Sequence, residues 1–440
     1  MSRFTIADAR ILTLAGSPSA SASGASGPRR GSALRDLGVI DRGWMVLEGN
    51  RIAGLGPGDP PQTGEDVLNV DGNVVMPAFV DCHTHACWAG HRFDEFDQRL
   101  AGASYLDILR AGGGIMATVR AVRQAPEEEL AHLLLRRLAA MASLGTGTIE
   151  VKSGYGLNLE TELKMLRAVH AVTSQTTQNL VGTFLGAHAI DPDNPDYVDE
   201  TIEETLPAIV SEFPGIACDA YCEVGAWSLE DTRRLLEKAA EFGCSLRLHA
   251  DQFNSLGATR LAIDLGAASV DHLEAITPDD LTRLAESPTM GVALPACGFH
   301  LDDRYAPGRA FIDAGGALAI ATNYNPGSAP TPSMPFVIAL ACRKLGLALA
   351  EAITAATYNA ACVLGLEHRV GSLEIGKRAD LQILDATDER QLAYEFATAG
   401  PLLVILDGHV VHLRALDPGI EEVEGADEDE PEGADEDESS

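Results

Sequence analysis

The chain has 440 residues, 46% of them hydrophobic, yet no apolar run reaches the eighteen or so residues that a membrane span needs, which excludes a membrane partner by spanning helix. Its formal net charge of -33 argues against a nucleic-acid partner, and residues 417–440 supply 13 acids and no base, leaving about -20 on the rest. Eight cysteines lie scattered through apolar segments, the pattern of reduced thiols. The start, MSRFTIADARILTL, lacks the charged and apolar regions of a secretion signal, so the expected location is the cytoplasm.

In chain order, residues 1–75 read as short strands and turns: FTIADARILTL, WMVLEGNRIAGLG and EDVLNVDGNVVMPAF. Within them, SPSASASGASGPRRGSA has little apolar area to bury, and residues 17–36 are expected to form a flexible surface loop. From Val80 the pattern changes to strand-like runs alternating with helix-length amphipathic segments. The runs are VDCHTH, GTGTIEVKSGYG, NLVGTFLGAHAI, CSLRLHADQF, ASVDHLEA, TMGVALPACG and GALAIATNYNPG. Eight or so such units suit a closed parallel barrel, placed over residues 76–366. Strand-like segments return in 367–416, as GSLEIGKRADLQILD and LLVILDGHVVHL, and pair with the N-terminal strands in one small β domain. The fold expected is therefore α/β, a (β/α)8 TIM-like barrel with a small β-sandwich domain built from both chain ends. Residues 417–440 are like-charged and almost free of apolar side chains, a solvating tail expected to be disordered. With only five lysines against 65 acids, the surface chemistry suits a high-salt cytoplasm.

The residues that carry chemistry gather where barrel strands end. His83 and His85 form an HxH after an apolar run, and alternate side chains of an extended chain share a face, so both can bind one metal ion. A bare HxH is weak, but His249 ends SLRLH, His188 follows FLGA and His272 follows ASVD. A metal in such a place polarises a carbonyl and lowers the pKa of water, which implies hydrolysis. Cys218 and Cys222 stand in a CxxxC spacing, but no second pair answers it, and buried structural thiols are the simpler reading.

The segment MPAFVDCHTHACWAGHRFDEFDQRLAGASYLDILRAGGGIMATVRAVR resembles the first barrel strand and following loop of the imidazolonepropionases, within the amidohydrolase superfamily. The resemblance runs on through EVKSGYGLNLETELKMLR, FLGAHAI, DAYCEVGAWS, LHADQF, VDHLEAI, RYAPGRAFIDAGGALAIATNYNPGS and GSLEIGKRADLQIL, from about residue 70 to 410. It implies a barrel with a β-sandwich, one zinc or iron ion, and hydrolysis of 4-imidazolone-5-propanoate to N-formimidoyl-L-glutamate in histidine degradation. Members of such families are commonly homodimers. By motif position it makes His83, His85 and His249 metal ligands. Arg92 would grip the propionate carboxylate with its guanidinium fork, although a surface pair with Asp94 or Glu95 is the plain alternative. Tyr105, Tyr155 and His188 would line the pocket, Gln252 would contact the ring, and Asn325, Gly327 and Ser328 would complete the carboxylate site. His272 would orient the attacking water or shuttle its proton.

The resemblance breaks at Asn323, where the family has an aspartate that binds metal and takes the water's proton. An amide offers a metal its oxygen but accepts no proton at ordinary pH, so Asn323 is expected to leave a weaker site and pass the base role to His272. Two other readings follow: a catalytically impaired homologue that only binds ligand, and another cyclic amidase or deaminase of the superfamily. Lys152 carries a carbamate bridging two metals in some relatives, but its VKSGYG setting matches the mononuclear family, which makes it structural or supporting.

Overall fold

The computed structural model describes residues 3–15, 27–61, 66–102, 113–397 and 400–414. Strands β1 (Arg3–Leu12), β2 (Val39–Glu48), β3 (Arg51–Pro57), β4 (Asp66–Asn69) and β5 (Val74–Pro77) open the chain. The next eight strands are β6 (Phe79–Asp81), β7 (Thr146–Lys152), β8 (Asn179–Ala187), β9 (Ala217–Tyr221), β10 (Leu246–Ala250), β11 (Ser269–His272), β12 (Met290–Ala293) and β13 (Leu318–Ile320). All seven pairings among these eight are parallel and run in sequence order, with helices between successive strands: a (β/α)8 barrel. Its first and last strands are clasped at one end only, where Asn323 N donates to His83 O at 3.0 Å and His85 N to Tyr324 O at 3.0 Å. Asp81 braces this seam by accepting from Thr322 N at 3.1 Å and from Thr322 Oγ1 at 2.5 Å.

The chain ends meet as expected. Strands β14 (Leu381–Ile383), β15 (Leu403–Leu406) and β16 (His409–Leu413) continue the N-terminal sheet through antiparallel pairing of β14 with β5, giving one mixed sheet of eight strands. Its core is apolar, with Ile6, Ile11, Met45, Leu47, Leu381 and Ile405 at 0–1% exposure. Only Ala78 separates β5 from β6, so this sheet feeds the first barrel strand directly.

Helices cover the barrel, and capping side chains start four of them. Asn158, Ser228, Thr277 and Ser333 each accept from a backbone N–H in the first turn of the helix that follows, replacing one of the bonds a helix start lacks. Strand alternation then sorts the side chains. In β10, Leu246, Leu248 and Ala250 join the large apolar cluster under the helices, while Arg247 and His249 face the barrel interior.

Two parts differ from expectation. Strand β9 was not among the strand-like runs, because Ala217–Tyr221 reads ACDAY, short and without a β-branched residue. Of the stretch expected to be a flexible loop, residues 27–36 are packed: Leu34 is fully buried, and Arg30 donates to Ala285 O at 3.1 Å and Ser287 O at 2.8 Å. Arginine stems and one leucine supply the burial that the small residues cannot. The rest of that stretch up to residue 26, and the acidic tail 417–440, lie outside the described residues.

Candidate metal centre and substrate pocket

The barrel interior is built from i, i+2 pairs on successive strands: Glu150 and Lys152 on β7, Asp219 and Tyr221 on β9, Arg247 and His249 on β10, Ser269 and Asp271 on β11. Glu150, Lys152, Asp219 and Asp271 are fully buried and Arg247 is 2% exposed. Isolated charges there would be costly, so each is paired. Lys152 Nζ lies 2.8 Å from Glu150 Oε2 and 2.8 Å from Asp219 Oδ2. Arg247 pairs with Glu150 and donates to Thr183 Oγ1 at 2.8 Å, and Thr183 Oγ1 donates to Glu150 Oε1 at 2.6 Å. Burial opposes the charge on Lys152, but Asp219 and Glu150 outweigh it and hold its pKa above the ordinary lysine value. An ammonium so engaged fits the supporting role expected of Lys152 rather than a carbamate.

On top of this network sit three buried histidines. His83, His85 and His249 each bring a ring nitrogen within 4.8 Å of the others, and His85 Nε2 lies 3.4 Å from His249 Nε2. Burial lowers the pKa of all three, further lowered by Lys152 at His83 and by His188 at His85, so the rings are neutral. Neutral imidazole is the ligand form. His83 Nδ1 donates to Asp271 Oδ2 at 2.6 Å, and His249 Nδ1 faces Asp219 Oδ2 at 3.0 Å. Such carboxylates fix ring orientation and strengthen the opposite nitrogen as a donor. His83 Nε2 and His85 Nδ1 are buried without a hydrogen-bond partner. Beneath the rings, three carboxylates stand against two cations, and burial pushes the Asp271 carboxyl up to about 7. Orphaned imidazole nitrogens braced by buried carboxylates fit a metal cation.

Asn323 stands at the same rim, 2% exposed, with φ 54° and its backbone bonded to His83 O. Its Oδ1 accepts from Asn325 Nδ2 at 3.1 Å. His272 closes β11 with φ 88°, followed by Leu273 at 74°; this left-handed turn brings its ring to 5.4 Å from that of His249 although Asp271 beside it also faces inward. His272 Nδ1 faces Glu274 at 3.4 Å. Burial alone would lower its pKa, but Glu274 and a contact with Cys297 push it up to about 10.

A pocket wall continues from the rings. His188 stacks on His85 with centroids 4.7 Å apart and its Nδ1 is 3.1 Å from Gly154 O; burial, aided by His249, lowers its pKa to about 3. Gly154 has φ 107°, and a Cβ there would clash with Leu185 O at 2.7 Å; this turn swings Tyr155 to 5.9 Å from His85. Gln252 Oε1 accepts from Tyr221 Oη at 2.7 Å, and its Nε2 donates to Cys297 Sγ at 3.4 Å.

Arg92 is half of a partly buried ion pair with Glu95, the two side chains 14% and 13% exposed, so the partner weighed for it on the surface is present but only partly exposed. The same guanidinium lies against the NPGS turn, where a Cβ on Gly327 would collide with Arg92 Nη1. Asn325 builds that turn: its Oδ1 accepts from Gly327 N at 2.8 Å and Ser328 N at 2.7 Å, while its Nδ2 donates to Ser328 Oγ at 2.8 Å. Its amide is thus engaged within the loop. Tyr105 lies outside the described residues. Sequence reasoning missed Glu150, Asp219, Tyr221, Arg247, Asp271, Glu274 and Cys297; the first five show the signal of polar residues two apart on apolar strands.

The amidohydrolase family model matches residues 74–411. The chain is similar to the imidazolonepropionase of Herpetosiphon aurantiacus, 43% identical over 89% of this chain and 95% of the relative. Those of Symbiobacterium thermophilum and Rubrobacter xylanophilus are 44% and 45% identical, covering 88% and 84% of this chain and 94% and 91% of theirs. Among solved structures, a 5-methylcytosine deaminase from Klebsiella pneumoniae liganded with 5-fluorocytosine matches with TM-score 0.71 at 15% identity, covering 94% of this chain and 98% of that one. An N-isopropylammelide isopropylaminohydrolase from Burkholderia multivorans matches with TM-score 0.64 at 18% identity, covering 93% and 98%. At such identities the structural likeness carries the fold alone.

Proposed function

Since this chain belongs to the imidazolonepropionases of the amidohydrolase family, we propose that it hydrolyses the ring C–N bond of 4-imidazolone-5-propanoate to give N-formimidoyl-L-glutamate in histidine degradation. The observation that carries this reading is the convergence of His83, His85 and His249, neutral and braced by Asp271 and Asp219, at the end of the barrel where catalytic residues gather. A zinc or iron ion held there by these three rings, with the Asn323 oxygen as a fourth donor, would polarise the substrate carbonyl and make water acidic.

The chain's own groups supply the rest. Arg92, against Gly327, offers a guanidinium to the propionate carboxylate and exchanges part of its bond with Glu95 for it, with Ser328 beside it in the same turn. Gln252, Tyr155 and His188 orient the ring. Asn323 is neutral and cannot take the proton from the attacking water, so His272 accepts it and returns it to the ring nitrogen as the C–N bond breaks. The high pKa of His272 sets the sign of the pH dependence. Its base form grows as pH rises, so kcat/KM should climb through the alkaline range, and Asn323→Asp should move that rising limb to lower pH. A profile that both proteins share unchanged would remove Asn323 and His272 from these roles.

The direct test mixes metal-analysed protein with the imidazolone and follows loss of the ring's ultraviolet absorbance. Turnover supports hydrolysis. A dead but metal-loaded protein favours the second reading, a ligand-binding homologue impaired by Asn323.

None of the described helices is long and apolar enough to cross a membrane. A cytoplasmic location and a homodimer belong to the same proposal.

A further inference from the structure

Beside the three-histidine centre lies a second cluster that the reaction above does not use as a unit. His272, Glu274 and Cys297 each bring one donor atom within 4.8 Å of the others. The cluster joins two elements: the left-handed turn at the end of β11 carries His272 and Glu274, and the helix Pro295–Leu301 after β12 carries Cys297. The side chains of His272 and Glu274 are 4% and 5% exposed, and Cys297 is 2% exposed. Glu274 Oε2 is buried in this cluster with no hydrogen-bond partner, and only a loose 3.4 Å approach links the carboxylate to His272 Nδ1. A buried carboxylate oxygen without a hydrogen-bond donor is costly, and a directly bound cation completes it more fully than the His272 ring at 3.4 Å.

We propose that His272, Glu274 and Cys297 form a second, regulatory metal site that takes a thiophilic divalent cation such as zinc or cadmium. Imidazole nitrogen, carboxylate oxygen and thiolate sulfur together select zinc-like ions over magnesium or calcium, which want oxygen alone. The thiol and the protonated His272 ring each give up a proton to solvent as sulfur and nitrogen bind. Three protein donors leave a fourth position for water, the arrangement of an open rather than a closed site. Gln252 Nε2 donates to the same sulfur, so an ion here also draws on the residue next to the substrate ring. Resting on the hydrolase reading, one consequence follows: a cation that occupies His272 removes the proton acceptor, so excess zinc inhibits.

The test uses the full chain carrying one equivalent of its own metal, titrated with cadmium while bound metal is counted by equilibrium dialysis and the thiolate-to-cadmium absorption band is followed. The expected result is about one further equivalent accompanied by that band. Cys297→Ser should abolish the band and Glu274→Gln should weaken the further equivalent by at least ~10-fold, a loss of the size that altered metal surroundings commonly produce. Both variants should keep the first equivalent, and thermal melts check that they fold. No further equivalent in the wild-type chain, or a band that persists in Cys297→Ser, overturns the site. These readouts are independent of turnover: a chain that hydrolyses nothing but binds the further cadmium ion keeps this site, and one that hydrolyses the imidazolone without binding it loses only this site.

Discussion

The two β structures of this molecule use the same alternation to opposite ends. In the mixed sheet made from the chain ends, the buried face is apolar, as Ile6, Ile11, Leu47, Leu381 and Ile405 show. In the barrel, the outer face is the apolar one, and the inner positions near the strand ends carry Glu150, Lys152, Asp219, Arg247, His249 and Asp271. The sheet is stabilised by removing hydrocarbon from water, roughly 25 cal/mol for each Å² buried. The barrel interior is the reverse case: burying an ion costs several kcal/mol, recovered only through exact partnering. A protein tolerates such a layer where it has a cation to hold, while the apolar cluster under the barrel helices and the sheet beside it supply the ordinary stability.

That contrast can be broken from the polar side first. His249→Ala removes a ring from the centre and should reduce metal affinity by more than the ~10–100-fold that supporting residues command, with turnover lost in step; metal content after dialysis measures it, and a variant that keeps its metal would disqualify His249 as a ligand. Next comes Lys152→Met, which removes one of the two buried cations and leaves Asp219 facing only His249 among side chains, and should destabilise the fold by about 3–5 kcal/mol in denaturant unfolding. Unchanged stability would mean that the network is not held by its ammonium. Arg92→Lys keeps the charge but loses the fork, and should raise KM by ~10–100-fold with a smaller change in kcat, the size of a lost charge-assisted hydrogen bond. A KM that stays put would separate Arg92 from the substrate carboxylate. The smallest effect belongs to the sheet: Ile405→Val should cost about 0.5–1.5 kcal/mol and leave KM untouched, since only packing changes.

How much of this was legible beforehand follows from the same alternation. His83, His85, His188, His249 and His272 announced themselves because each closes an apolar run, and the parallel repeat told where such ends collect. Asn323 was visible only against the family pattern. Apart from Lys152, the acids and cations beneath the histidines were not read, since a charged residue every second position on a strand looks like a solvent face until the sheet is closed into a barrel. Glu274 and Cys297 were missed for another reason: two consecutive left-handed residues, His272 and Leu273, fold the chain back in a way that no propensity of those residues suggests. Arg30 and Leu34, in a stretch rich in serine and glycine, were overlooked because composition averages away single anchors.

The barrel's seam has a consequence for biosynthesis. Asp81 and Thr322, 241 positions apart in the chain, meet where the first and last barrel strands join, and the histidine pair follows immediately after the first of them. A nascent polypeptide still lacking its last barrel strand, Leu318–Ile320, has no closed ring and offers a cation only unassembled imidazoles, so loading has to wait for that strand. Acquisition of the ion and closure of the barrel thereby become one event.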